Sequence, residues 1–355
     1  MEQCFHILDL VHCAHQPERA SGIFHRGVVK GLFDKSPCSH QERACQSGGA
    51  MQSERTSVQV VEVGREENGR KLISFLEARL GSLPASLLMR LVRTGQVRID
   101  GRRCKPFDRV LTGQKVRIPP VDVQRKSETD LALPGIDVVF ENDEMLLVSK
   151  PAGLPVHGGT GWSDSVHDRL KSRHQEGFVP VPVHRLDRDT SGLLLCAKTH
   201  DFLRFMHASW PSLTKAYLCW VEGAWESGGW RTIVSELAKA ETGRGEQVIS
   251  GQGKRAVSHV HPLLKDGQKS LLLVVLGTGR THQIRVHLAD LGHAIVGDPR
   301  YGRGGGLLLH AAALSWPGHA FFVLPPWQGE FEIKRICAQD IRDILATAPA
   351  KEGAI

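Results

Sequence analysis

The sequence predicts an α+β protein of two domains, a small basic one followed by a larger one. Three observations carry this. The chain has 355 residues, enough for two domains or more with ample material for a core. Short apolar runs bounded by turn residues recur from residue 97 onward and read as strands, interrupted by stretches with helical spacing. Charge is also unevenly placed. The formal net charge is +7, and residues 51–120 carry 14 Lys plus Arg against 7 Asp plus Glu. The whole excess therefore sits in one small segment, an electrostatic footprint for a polyanion. No apolar run approaches the ~20 residues needed to span a membrane, and the start lacks a charged-then-apolar leader pattern, so a cytoplasmic protein is expected. The eight cysteines form no Cys-x-x-Cys pair, and free thiols are expected.

Residues 1–55 mix Cys, His, Gln, Ser and Gly without a sustained period and read as a disordered extension. Met51 is a natural start for the folded part. Residues 56–120 read as a compact module. Leu72, Phe75, Leu76 and Leu80 recur at helical spacing, and a second helix opens at Ser86 and stops at Gly95. Val97–Ile99 and Val116–Ile118 alternate as strands, with Asp100–Gly101 a hairpin turn. This layout resembles an S4 domain, which binds structured RNA. The resemblance implies phosphate contacts from Arg90, Arg93, Arg98, Arg102 and Arg103, which position a protein without reading sequence. One departure is Ile73, where S4 domains often carry an acidic residue. Pro119–Pro120 end the module, and residues 121–135 read as a linker.

A second domain is expected over residues 136–346, with a frayed tail over 347–355. It opens with a strand, turn, strand pattern over residues 137–148. Lys150-Pro151-Ala152-Gly153 then forms a rigid loop, in which Lys150 and His157 are candidates to touch a ligand. The densest polar stretch is His184-Arg185-Leu186-Asp187-Arg188-Asp189-Thr190-Ser191-Gly192, running into the apolar strand Leu193–Ala197. A loop mounted on a buried strand holds its side chains rigidly. Flanking cations favour an ionised Asp187, which can serve as nucleophile or general base. A surface ion-pair cluster fits the same spacing.

His-Arg-Leu-Asp-x-x-Thr-Ser-Gly resembles the signature loop of the RluA-type pseudouridine synthases. Gly279-Arg280-Thr281-His282-Gln283-Ile284-Arg285-Val286-His287 resembles the second signature of that family. The resemblance spans residues 57–335 and is strongest to the RluC subgroup. It implies a catalytic domain built on a mixed, mostly antiparallel sheet. It also implies isomerisation of uridine to pseudouridine in RNA, most often ribosomal RNA of the large subunit, with no cofactor. The implied catalytic residues are Asp187, Tyr217 and Arg285: Asp187 takes the essential role, Tyr217 lies against the target ring and serves as acid or base at the sugar, and Arg285 is the ion-pair partner of Asp187. Arg185 and His184 bind the flipped nucleotide, with Ile284 and Lys150 also at the substrate. Tyr217 alone, as a strand tyrosine, reads as core.

Residues 239–256, rich in Gly, Arg, Lys and Gln, read as a mobile basic insertion facing RNA. His282, His287 and His293 match no standard metal spacing, and no metal is expected. A monomer is the default. Two rival functions stay open: a non-catalytic RNA-binding or assembly factor, and a glycosidic hydrolase using paired carboxylates.

Overall fold

The computed structural model describes residues 53–350 except 56, 81–82, 125–132, 159–163, 175–177, 227 and 243–244. The first 52 residues, including Met51 and four of the cysteines, lie outside the described part, as do residues 351–355.

The N-terminal module begins with two short strands, β1 (Ser53–Arg55) and β2 (Gln59–Glu62). Helices α1 (Leu72–Leu80) and α2 (Ala85–Arg93) follow, then β3 (Arg98–Ile99), β4 (Arg102–Arg103) and β5 (Lys115–Ile118). Strands β2-β5-β3-β4 form an antiparallel sheet. The β3–β4 hairpin turns at Asp100 and Gly101, both with positive φ, as the Asp-Gly pair predicts. Leu72, Phe75, Leu76 and Leu88 from the helices bury against Val116 and Ile118 from the sheet and Val97 just before β3. Val116 and Ile118 point inward while Lys115 and Arg117 point to solvent, the period-2 alternation of a half-buried strand. Arg90, Arg93, Arg98, Arg102 and Arg103 are all exposed.

Two boundaries differ from expectation. The strand β6 (Asp122–Gln124) lies inside the expected linker, and it pairs antiparallel with β1, inside the expected extension. The short strands are polar and lack apolar alternation, so the sequence pattern did not distinguish them from coil.

The larger module contains β7 (Asp137–Glu141), β8 (Met145–Lys150), α3 (Val166–Arg173), β9 (Val181–Pro182), β10 (Ser191–Ala197) and α4 (His200–Ser209). It continues with β11 (Thr214–Glu222), β12 (Arg231–Thr242), β13 (Gly245–Ser250), β14 (Lys254–Asp266) and β15 (Lys269–Leu276). It closes with α5 (Gln283–Asp290), β16 (Leu309–Trp316), β17 (His319–Phe322) and α6 (Ala338–Ala346). The sheet runs β13-β12-β14-β15-β11-β16-β10-β8-β7, with β17 on β16 and β9 on β10. All these pairs are antiparallel except β10 with β16. The architecture is α+β with a mixed, mostly antiparallel sheet.

The expected mobile insertion over 239–256 is instead the regular hairpin of β12 and β13 with the entry of β14. Leu237, Val248 and Ala256 bury one face against Val286 of α5. Its polar composition belongs to the other face of a sheet edge. The start of the expected tail is held, since the Trp230 indole N–H donates to Thr347 Oγ1 at 3.1 Å, and residues 351–355 lie outside the described part.

The modules touch. Asn68 Nδ2 donates to Asp201 Oδ2 on α4 at 3.1 Å, and the Arg70 guanidinium lies 5.6 Å from the Phe178 ring centre. No helix among the described residues is long and apolar enough to cross a membrane.

Candidate active site

The loop from His184 to Thr190 is set at the one parallel junction of the sheet. Ser191 and Gly192 open β10 opposite His310 and Ala311 of β16. Gly192 has φ +108°, and a Cβ there would lie 2.3 Å from the Ala311 carbonyl oxygen, so only glycine permits the approach. The Ser191 hydroxyl meets His310 Nδ1 at 2.8 Å, and His310 Nε2 lies 3.2 Å from the Val323 carbonyl. Within the loop, Leu186 buries among Leu154, Val156 and Leu194. Its neighbours Arg185 and Asp187 line a cleft of about 360 Å³.

Lys150 clamps this loop from behind. Its Nζ donates to the carbonyls of Pro151 at 2.9 Å, Leu154 at 2.8 Å and Arg188 at 2.8 Å. The residue is 1% exposed. This corrects the expectation that Lys150 touches substrate: all three of its donors are spent on backbone carbonyls, and burial pushes its pKa down to about 7. His157 is exposed.

Arg285 enters the cleft from α5 and is 3% exposed. Its Nη1 donates to Asp187 Oδ2 at 3.3 Å, while Nε and Nη2 grip Asp298 at 2.7 and 2.8 Å. Burial alone would lower the guanidinium pKa; the hydrogen bonds and charges of Asp298 and Asp187 raise it instead. Asp298 is fully buried and also accepts from the backbone N–H groups of Arg300 and Tyr301. The expected Asp187–Arg285 pair is thus present, with a second carboxylate that the sequence reading did not include.

Tyr217 lines the same cleft. A register shift between Ala216 and Tyr217 on β11, where it pairs with β16, sets the ring's position. Burial, and then the charge of Asp187, push its phenol pKa well up, so the hydroxyl is un-ionised at neutral pH. The ring can present a flat face, but the neutral phenol is a weak acid and no base.

His184 stacks on Trp210 with ring centres 4.7 Å apart, and its Nε2 accepts the Leu195 backbone N–H at 3.1 Å. Burial, with the nearby Lys215 charge, lowers its pKa to about 3. It therefore offers a neutral aromatic wall rather than a cation. Arg185 is exposed at the cleft, and among the described residues its side chain has no hydrogen bond or ion pair. Ile284 lines the cleft floor while packing into the core.

The cleft also contains His207, Trp210 and Lys215, which the sequence reading did not place there, and His282, which it weighed only as a metal ligand. His282 Nε2 stands 3.7 Å from Asp187 Oδ2, and its Nδ1 lies 2.9 Å from the Tyr301 hydroxyl. Asp189, the other carboxylate of the loop, is paired with Arg188 at 2.8 and 3.0 Å. Among the described residues no group of three or more His, Cys, Asp or Glu is arranged to hold a metal ion. One carboxylate, clamped by arginine on one oxygen in a cleft with neutral aromatic walls, suits chemistry on a planar base and its sugar.

Comparison with known proteins agrees with that geometry. Residues 144–290 match the RNA pseudouridylate synthase family. Ribosomal large subunit pseudouridine synthase C of Salmonella typhi is 36% identical over 75% of this chain and 91% of its own length. The protein of the same name from Yersinia pestis is 37% identical over 74% of this chain and 89% of its own. The chain belongs to the RluA-type RNA pseudouridine synthases. The solved structure of human RNA Pseudouridylate Synthase Domain Containing 1 superposes with a TM-score of 0.51 at 24% identity. It covers 61% of this chain and all of its own, a likeness of fold. The family match falls on the module that carries the Asp187 loop, Tyr217 and Arg285.

Proposed function

We propose that this synthase isomerises uridines of large-subunit ribosomal RNA, with Asp187 as the catalytic carboxylate. The observation that carries the reading is the Asp187–Arg285 pair at 3.3 Å in a cleft walled by Tyr217, His184 and Ile284. The curated relatives are similar over most of their length, and their names specify the large ribosomal subunit.

The reaction breaks the N1–C1′ bond, turns the base and joins C5 to C1′. A proton leaves C5 and N1 gains one, so atoms and charge balance without a redox partner. A uridine in folded RNA must first leave its stack, at a cost of a few kcal/mol. Arg185, exposed beside Asp187, takes the space the base vacates or holds the extruded nucleotide. Tyr217 and the His184–Trp210 stack enclose the base by aromatic contact. Arg285 orients the carboxylate through its Nη1 contact. The exposed arginines of the N-terminal module, read as an S4-type domain spanning 56–120, bind phosphates and deliver the RNA. We read the synthase as a cytoplasmic monomer.

The paired-carboxylate hydrolase loses its support, because the second acid, Asp189, is engaged by Arg188. The test is carbodiimide mapping of pseudouridines in ribosomal RNA from a strain lacking the gene. Wild type should restore the missing large-subunit sites and Asp187→Ala should not, while still binding RNA. Unchanged ribosomal RNA would remove the substrate reading. Turnover by Asp187→Ala would remove the catalytic one.

A further inference from the structure

His282 is one of two described non-glycine residues with positive φ, at +53°. Left-handed backbone strains a residue with a Cβ, and such strain persists where surrounding contacts hold it. The conformation places the imidazole between Tyr301 and Asp187. Both of the near cations and donors, Arg285 Nη1 at 3.3 Å and His282 Nε2 at 3.7 Å, lie on the same carboxylate oxygen, Oδ2. Among the described residues Oδ1 accepts no hydrogen bond.

The direction of the hydrogen bonds can be followed. The Val248 backbone N–H donates to the Tyr301 phenol oxygen at 3.2 Å. His282 Nδ1 lies 2.9 Å from the phenol oxygen and, among the described residues, is the one acceptor hydrogen-bonded to that hydroxyl, which points to the phenol as donor. A neutral imidazole that accepts at Nδ1 carries its proton on Nε2. Burial lowers the His282 pKa against the opposing pull of Asp187, in keeping with a neutral ring.

We infer that Tyr301 and His282 are positioning residues for Asp187: the phenol fixes the imidazole as the Nε2–H tautomer, whose N–H holds Oδ2 jointly with Arg285 and leaves Oδ1 to face the nucleotide. A movement of about 0.7 Å brings Nε2 to the ~2.9–3.0 Å of an N–H···O bond. The role of Tyr301 is separable from packing, since its ring also lies 5.1 Å from the Arg285 guanidinium and stays in Tyr301→Phe. The inference rests on the reading of Asp187 as the reacting carboxylate.

Two measurements test it. The first is ¹⁵N–¹H long-range correlation on histidine-labelled full-length protein, with His282 assigned by its loss in His282→Gln. Wild type should show Nε2–H, and Tyr301→Phe should show a mixture. An Nδ1–H tautomer in wild type overturns the inference, whatever Asp187 does. The second is single-turnover pseudouridylation with RNA binding measured in parallel. His282→Asn suits the left-handed backbone better, while His282→Gln places an amide N–H near the Nε2 position. A donor role predicts that Gln retains more activity than Asn; a backbone role predicts the reverse and sinks the proposal. His282→Ala and Tyr301→Phe should lower the single-turnover rate by about 10–100-fold, the scale of a misplaced reacting group. RNA affinity should stay unchanged; a loss carried by affinity alone also overturns it. Failure of the Asp187 reading is seen separately, as turnover by Asp187→Ala with the Nε2–H signal intact.

Discussion

Arg285 joins two carboxylates that lie far apart in the chain, Asp298 through Nε and Nη2 at 2.7 and 2.8 Å and Asp187 through Nη1 at 3.3 Å. The bidentate pair is short and buried, and the single contact reaches the proposed catalytic carboxylate. Removing Asp298 leaves a buried guanidinium without its main counter-charge. Breaking one side of a buried pair costs about 3–5 kcal/mol. Asp298→Asn should therefore lower the urea midpoint strongly as well as the rate. Arg285→Lys keeps a charge but not the planar fork, and should lose activity at similar RNA affinity.

The same pair predicts a pH dependence. Burial alone would raise the Asp298 pKa, but Arg285 and two backbone N–H groups hold it below its ordinary 3.8. A carboxyl depressed on folding contributes stability that is present above its unfolded pKa and is lost as pH falls through the folded value. Unfolding measured below about pH 4 should show wild type losing stability more steeply than Asp298→Asn.

Gly192 makes the loop's position depend on a hydrogen atom. Its Cβ position lies 2.3 Å from the Ala311 oxygen and 2.7 Å from the Ala311 nitrogen, at φ +108°. Gly192→Ala must separate β10 from β16 just where the Asp187 loop ends. Backbone strain of about 1–3 kcal/mol is expected. The rate should fall further, by about 10²-fold, because reacting groups tolerate little displacement. Thermal unfolding beside single-turnover kinetics separates the two effects.

The basic face of the N-terminal module predicts a salt response. Arg90, Arg93, Arg98, Arg102 and Arg103 are exposed. Each arginine removed from a phosphate should reduce the slope of log affinity against log salt by about 0.7–0.9. Alanine at two of these positions should weaken binding to RNAs of any sequence, with the rate on bound RNA unchanged. A change confined to one sequence would place these residues at bases instead.

Much of the site was legible because its residues come in local runs. The Asp187 loop declares itself by polar density before an apolar strand, and Arg285 by its motif. Asp298, His282 and Tyr301 meet the candidate site through contacts that spacing cannot display: Arg285 lies 98 residues from Asp187 and Tyr301 lies 53 from Val248. Lys150 was placed at the substrate because its loop resembles one beside the family's active site, and only the fold shows three carbonyls converging on it. The β12–β13 hairpin was misread because an edge of a sheet shows solvent a polar face. Helix α4 was missed although the signal was there, with Thr199 capping through Phe202 N and Phe202 and Met206 buried four residues apart.

Lys150 gives the last prediction. Its charged form has three N–H donors and meets three carbonyls, one of them on Arg188, next to Asp187. Lys150→Met conserves much of the volume and strands those carbonyls, at about 1–3 kcal/mol for each left unsatisfied. Stability and turnover should both fall, with RNA binding retained, since the residue does not reach the cleft. Burial holds the folded pKa at about 7, against 10.5 for a free lysine. Between these values the unfolded chain holds a proton that the folded one has released, so the site's contribution to stability rises with pH across that window. The stability gap between wild type and Lys150→Met, read from urea unfolding, should therefore widen from pH 7 to pH 9. A gap that stays constant would mean the ammonium remains charged on its three carbonyls throughout.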